Sequence, residues 1–365
     1  KLHETAVRQV KQKIDVFGNI TFAAGLIAVL IGITYGIQPY GQHVMSWSSP
    51  KVLSLLIGGL ALLVAFVFIE QRVKQPMFNL RLFKIRPFTM GNTSSLFSAI
   101  GRGGLQFMLI IWLQGIWLPL HGYSFASTPL WAGIYLLPLT VGFLVSGPLS
   151  GYLSDRYGAR PFATGGMILG AISFGLLMLL PGNFPYWAFA LFILLNGIGS
   201  GLFAAPNSTG IMNSVPAAQR GQASGMRSTT MNAGMVLSIG IFFSLMIVGL
   251  SSTLPSTMAS RLEAQHVPAQ IARHVANEPP VGSLFSAFLG YNPMSKLVPP
   301  KVLSQLPKQN AATITSKSFF PKLISAPFIH GLKIAFTFSL VLFVLAAAAS
   351  WLRGKKYIHQ ESESY

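Results

Sequence analysis

Asp155, Arg156 and Arg160 fall within one eleven-residue stretch, Gly151–Pro161, together with Gly151, Leu153 and Gly158. A carboxylate set among guanidinium groups can form charge contacts with them. Asp155 can meet the neighbouring cations or the N-terminus of a helix, where the dipole favours an anion. Gly158 suits a tight turn, because it accepts backbone angles that other residues resist. The bland alternative is that these charges only orient the chain in a membrane.

A second group lies on the apolar segment 88–118. Asn92, Ser95, Ala99, Arg102, Gln106 and Gln114 follow steps of three and four residues, or multiples of them, so they share one face of a helix. Arg102 is near the middle of the segment. A charge at that depth is costly and marks a site by default. A polar stripe on a lipid-embedded helix faces the bundle interior or a water-filled space. The run Gly101-Arg102-Gly103-Gly104 is expected to loosen the helix and free backbone groups for a ligand. On segment 186–210, Asn196, Ser200, Ala204 and Asn207 share a face interrupted by glycines and Pro206. Asn92, Ser95, Arg102, Gln106, Gln114, Asn196 and Asn207 are therefore the expected lining of a substrate cavity. For any of them the alternative is a hydrogen bond between helices, at ~0.6 kcal/mol on average.

Soluble-enzyme chemistry finds no support. Gly197-Ile198-Gly199-Ser200-Gly201 is glycine-rich, but it lies inside an apolar segment without the strand that a dinucleotide site needs. No phosphate-loop motif occurs. The seven histidines are scattered without metal-ligand spacing, and the chain has no cysteine. The expectation is a non-enzyme with no cofactor and no metal. None of the eight acidic residues lies in the middle of an apolar segment, so the chain supplies no obvious proton-carrying carboxylate.

The elements that position these residues follow from composition. Hydrophobic residues make up 52% of the chain and charged residues only 9%, against about 25% charged in soluble domains. Eight segments approach or exceed the roughly 20 apolar residues that cross a bilayer: 16–37, 52–70, 88–118, 130–151, 162–181, 186–210, 224–249 and 330–352. The net charge of +18 is arranged by topology rather than for nucleic acid. Of the 26 Lys and Arg residues, 16 lie in alternate connections, while the short opposite connections 38–51, 119–129 and 182–185 hold only Lys51. That asymmetry predicts a multi-pass protein of the cell membrane with both termini cytoplasmic. Small-xxx-small pairs at Gly147/Gly151, Gly166/Gly170 and Gly197/Gly201 predict close helix contacts.

The expected organisation is an all-α integral membrane protein. Residues 1–14 form a cytoplasmic amphipathic lead-in and 15–70 a helix pair. Residues 71–87 form a basic connector whose apolar groups lie in the headgroup layer. Residues 88–249 carry five further spans and 250–329 an extracytoplasmic loop, in which Ser256–Asn277 suggests an amphipathic helix. Its phenylalanines suit it to lie on the membrane surface or to cap the bundle. Residues 330–353 form the last span and 354–365 a cytoplasmic tail.

The stretch around Asp155 resembles the G-x-L-[SA]-D-R-x-G-x-R loop motif of the major facilitator superfamily, position by position. Gln75–Phe83, Ala205-Pro206-Asn207 with Val215-Pro216, and Arg220–Gly225 resemble further segments of its fourteen-helix drug:proton antiporter branch. The resemblance implies that the first two helices link two bundles and that the next six form the whole C-terminal bundle. An N-terminal bundle would be missing from this chain. It further implies secondary efflux of amphipathic small molecules, coupled to protons, by alternating access, with the loop at Asp155 as a latch whose charge contact, present in one access state and broken in the other, biases the equilibrium by that difference. An importer or narrow-specificity exporter is the nearest alternative, and a membrane sensor or assembly protein without transport is the next. The partners implied are lipid, a small amphipathic substrate, protons and the missing bundle, with no nucleic acid.

Overall fold

A computed structural model describes residues 15–41, 43–73 and 76–354; the lead-in 1–14 and residues 355–365 of the tail lie outside the described residues. Among the described residues, eight helices are long and apolar enough to cross a membrane. They are α1 (Val16–Gly36), α2 (Pro50–Arg72), α3 (Arg86–Leu120), α4 (Thr128–Tyr157), α5 (Ala159–Met178), α6 (Tyr186–Met212), α7 (Arg220–Glu263) and, last in the chain, Phe319–Leu352. No strand occurs among the described residues.

Local chemistry starts the first two helices. The Asp15 carboxylate accepts from the Gly18 amide at 2.8 Å, and Ser49 Oγ from the Val52 amide ahead of Pro50 at the first helical position. The two helices pack mainly on each other, and α1 reaches the rest where Ile33 covers Gly240 of α7.

The other six spans pack around a core that includes Trp112, Phe174, Phe242, Phe336 and Phe343. Lipid offers no hydrophobic drive between helices, so close approach and interhelical hydrogen bonds set the contacts. Gly166 of α5 and Gly199 of α6 meet backbone to backbone; a methyl on Gly199 would sit 2.6 Å from the Gly166 carbonyl oxygen. Gly197 and Gly201 do the same against α4, where Ser150 Oγ also donates to the Gly201 carbonyl at 3.0 Å. Large apolar side chains such as Ile57, Leu144 and Leu179 point outward, as lipid-facing positions do.

Two sequence expectations are corrected. Only part of the connector's apolar surface is available to a headgroup layer, chiefly Phe83, which is exposed. Phe78 and Leu82 are buried against Phe66, Phe88 and Ile211, while Arg81 and Lys84 stay exposed. Gln222 Nε2 donates to the Pro76 carbonyl at 2.5 Å and fastens the segment to α7. Nor do residues 256–277 form one helix. The seventh span continues to Glu263, and the chain turns at His266, with φ of 65°. Pro268 then caps a new helix, α8 (Ala269–Ala276), because it has no amide hydrogen with which to continue the first.

Four more short helices follow: α9 (Pro280–Leu289), α10 (Met294–Leu297), α11 (Pro300–Gln305) and α12 (Lys308–Thr315), before α13 (Phe319–Leu352). Prolines at 279, 299 and 307 start helices here rather than merely ending them. The segment caps the bundle. Phe288 stacks on Phe107 and Phe285 on Phe243, with ring centroids 5.5 and 5.9 Å apart.

Candidate functional site

The loop motif is the turn between α4 and α5. Gly158 adopts φ 86° and ψ 158°, which only glycine visits readily, and its amide donates to the Ser154 carbonyl at 2.8 Å. The reversal is immediate: α4 ends at Tyr157 and α5 begins at Ala159. Gly151, one helical turn or more before it, lies on α4, where a methyl would stand 3.7 Å from Ala205 Cβ.

The arginines diverge. Arg156 leans on its neighbour Tyr157, with 5.6 Å from guanidinium carbon to ring centroid. Arg160 lies 3.7 Å over the Trp351 ring near the end of α13. Thr164 and Ser350 share a hydrogen bond at 3.0 Å, so α5 and α13 are joined over two turns here. Asp155, Arg160, Thr209, Asn213 and Arg353 line one cavity of about 320 Å³.

Arg353 enters this site without any sequence signal beyond its place after the last span. Its side chain is 5% exposed and inside the protein. Burial pushes its guanidinium down to about 10, which still leaves it cationic at neutral pH. A second unforeseen feature involves Glu70, which is buried at the end of α2. It faces Asp15 across Gly18, where a methyl would touch the Asp15 carboxylate and sit 3.1 Å from Glu70 Oε1. In the sequence both acids read only as helix-end charges.

The predicted cavity residues separate into groups. Asn207 Nδ2 donates to Ser95 Oγ at 2.7 Å and to the Gly91 carbonyl at 3.2 Å, tying α6 to α3. Asn92, one turn before, is buried and donates to the Phe88 carbonyl at 2.9 Å. Ala99 packs against Gly234 of α7. Asn196 is fully buried, and neither its Oδ1 nor its Nδ2 has a hydrogen-bond partner among the described residues.

Helix α3 is interrupted at Gly104. The amide freed there donates to Ser238 Oγ at 2.8 Å, and Ser238 in turn donates to the Ile100 carbonyl. The break is therefore satisfied from α7 rather than left for a ligand. Arg102, at this break, is half-buried and makes no hydrogen bond among the described residues; Gln106 is exposed. Gln114 belongs elsewhere. It lies in a π-helical turn (Leu113–Trp117) and donates to the Phe288 carbonyl at 2.8 Å, anchoring the cap. Gly115 beside it admits the Ala287 carbonyl, which a methyl would meet at 2.5 Å.

Comparison with known proteins agrees with this architecture. A sequence profile of the Major Facilitator Superfamily matches residues 14–239, more than half of the chain. The Bacillus subtilis MFS-type transporter YhcA is 29% identical over 228 residues, covering 62% of this chain and 40% of its own length. The tetracenomycin C resistance and export protein of Streptomyces glaucescens is 24% identical, covering 96% of this chain and 58% of its own. The methyl viologen resistance protein SmvA of Salmonella typhimurium is 29% identical, covering 68% and 48%. The chain spans about half the length of these relatives.

Proposed function

The chain belongs to the Major Facilitator Superfamily, and from that premise we propose that it forms the C-terminal portion of a secondary active transporter that exports amphipathic small molecules. In this reading α1 and α2 link two bundles, and α3 to α7 with α13 form the second one. Substrate is held between the bundles near the midplane, and the bundles rock to alternate access. The single observation that carries the reading is the loop motif built as an abrupt turn between two spans and fastened to the end of a third through Arg160 and Trp351. The names of its relatives, two of them resistance proteins, favour export over import.

Of the seven residues assigned to the substrate path, Arg102, Gln106 and Asn196 make no side-chain hydrogen bond among the described residues, and of these Arg102 and Gln106 are not fully buried. They are the first candidates for substrate contact. Proton coupling is the proposed energy source, with its carrying residue in the other bundle or at the Asp15 and Glu70 pair. Placement in the cell membrane with both termini cytoplasmic puts the loop motif on the cytoplasmic face.

The test is transport by the full-length gene product in everted vesicles with an imposed pH gradient, using methyl viologen and a lipophilic cationic dye. Uptake into the vesicles that collapses with the gradient is the expected result. Flux in the opposite sense would make the protein an importer, and no flux of either probe would count against drug export.

A further inference from the structure

Arg353 forms the inner wall of the cavity at the loop-motif end. Its Nε, Nη1 and Nη2 are all buried, and none has a hydrogen-bond partner among the described residues. The side chain is held in a slot between two glycines. A methyl on Gly210 would lie 2.5 Å from Nη1, and one on Gly91 would lie 3.2 Å from Nη2. A planar fork of five donors that none of the described residues uses is a costly arrangement. It becomes favourable when an oxyanion accepts from the fork.

The lining adds to this. Arg160 Nε is likewise buried without a partner, and Thr209, Asn213 and Ser154 bring further polar groups. Two guanidinium groups stand among the described lining residues. A phosphodiester carries one negative charge and several acceptor oxygens, which suit such donors. The position agrees as well: Pro87, Tyr157, Ala159, Asn213 and Gly354 all lie within a few residues of the ends of spans, at the level where headgroups lie.

We propose that this cavity binds the phosphodiester headgroup of a membrane phospholipid, with Arg353 donating to its oxygens from inside and Arg160 from the side of the loop. A failure to transport drugs leaves this proposal untouched, because its test reads thermal stability.

The experiment uses the delipidated full-length gene product in uncharged detergent. Thermal unfolding is followed by tryptophan fluorescence while short-chain phosphatidylglycerol, the matching diacylglycerol or inorganic phosphate is added. Phosphatidylglycerol is expected to raise the midpoint saturably, and the diacylglycerol is not. Arg353→Gln is expected to raise the half-saturating concentration at least ten-fold. Should that variant fail to fold, Thr209→Trp alters an exposed residue of the lining and is expected to give the same loss by obstruction. Equal stabilisation by diacylglycerol, or a folded Arg353→Gln or Thr209→Trp that responds like the wild type, would overturn the proposal. Saturation by inorganic phosphate, with no further response to lipid, would overturn the lipid assignment in favour of a free anion.

Discussion

Arg160 of the loop motif stacks on Trp351, 3.7 Å from guanidinium carbon to ring centroid, so the turn after α4 is coupled to the end of α13. Trp351 is 56% exposed, which places the contact in the exposed range of cation–π strength, ~0.5–1 kcal/mol. Because the chain has no cysteine, one introduced at Tyr157 reports on the loop alone. Trp351→Leu is expected to speed thiol labelling at that position about two- to five-fold, the factor that such an energy sets. An unchanged labelling rate would show that the contact does not hold the loop.

Asp155→Asn keeps the size of the side chain and leaves the count of cations unchanged, so orientation in the membrane is expected to persist. If the loop is a latch between access states, transport by the full-length protein falls strongly while substrate binding remains. Transport at the wild-type rate would exclude the latch.

Arg102 is half-buried at the break in α3, and the bundle leaves its guanidinium without a hydrogen bond among the described residues. Arg102→Ala is expected to abolish or redirect transport with normal membrane insertion. Arg102→Lys restores it only in part, since a point charge does not replace a planar fork. Loss of the protein from the membrane, with no change in selectivity in any variant, would assign Arg102 to structure.

The Ser95–Asn207 pair predicts a measurable coupling. In a double-mutant cycle with Ser95→Ala and Asn207→Ala, unfolding in detergent is expected to give an interaction of ~0.6 kcal/mol, with ~1.7 as the upper bound from comparable membrane pairs. A value near zero would mean that the 2.7 Å bond does not hold α3 to α6.

The cation asymmetry predicts orientation. A tag placed within 38–50 or within the cap between Glu263 and Phe319 is expected to be reachable from outside intact cells, and a tag after Lys356 is not. An external C-terminus would reverse the whole assignment.

Span number was legible in the sequence because it is a local property. Some 20 apolar residues must cross a bilayer as helix, whatever their neighbours, and all eight spans are helices of sufficient length. Helical spacing likewise identified the face shared by Asn92, Ser95 and Ala99. What that face meets is not local. Only the packed bundle puts Asn207 against Ser95 and turns Gln114 toward the cap. The same holds for the apolar groups of the connector and the cap, since an amphipathic segment has the same pattern whether lipid or protein covers it. Arg353 shows the difference most sharply. As a residue it is one more cation after a span; two glycines far apart in the chain, one on α3 and one on α6, make the slot that buries it.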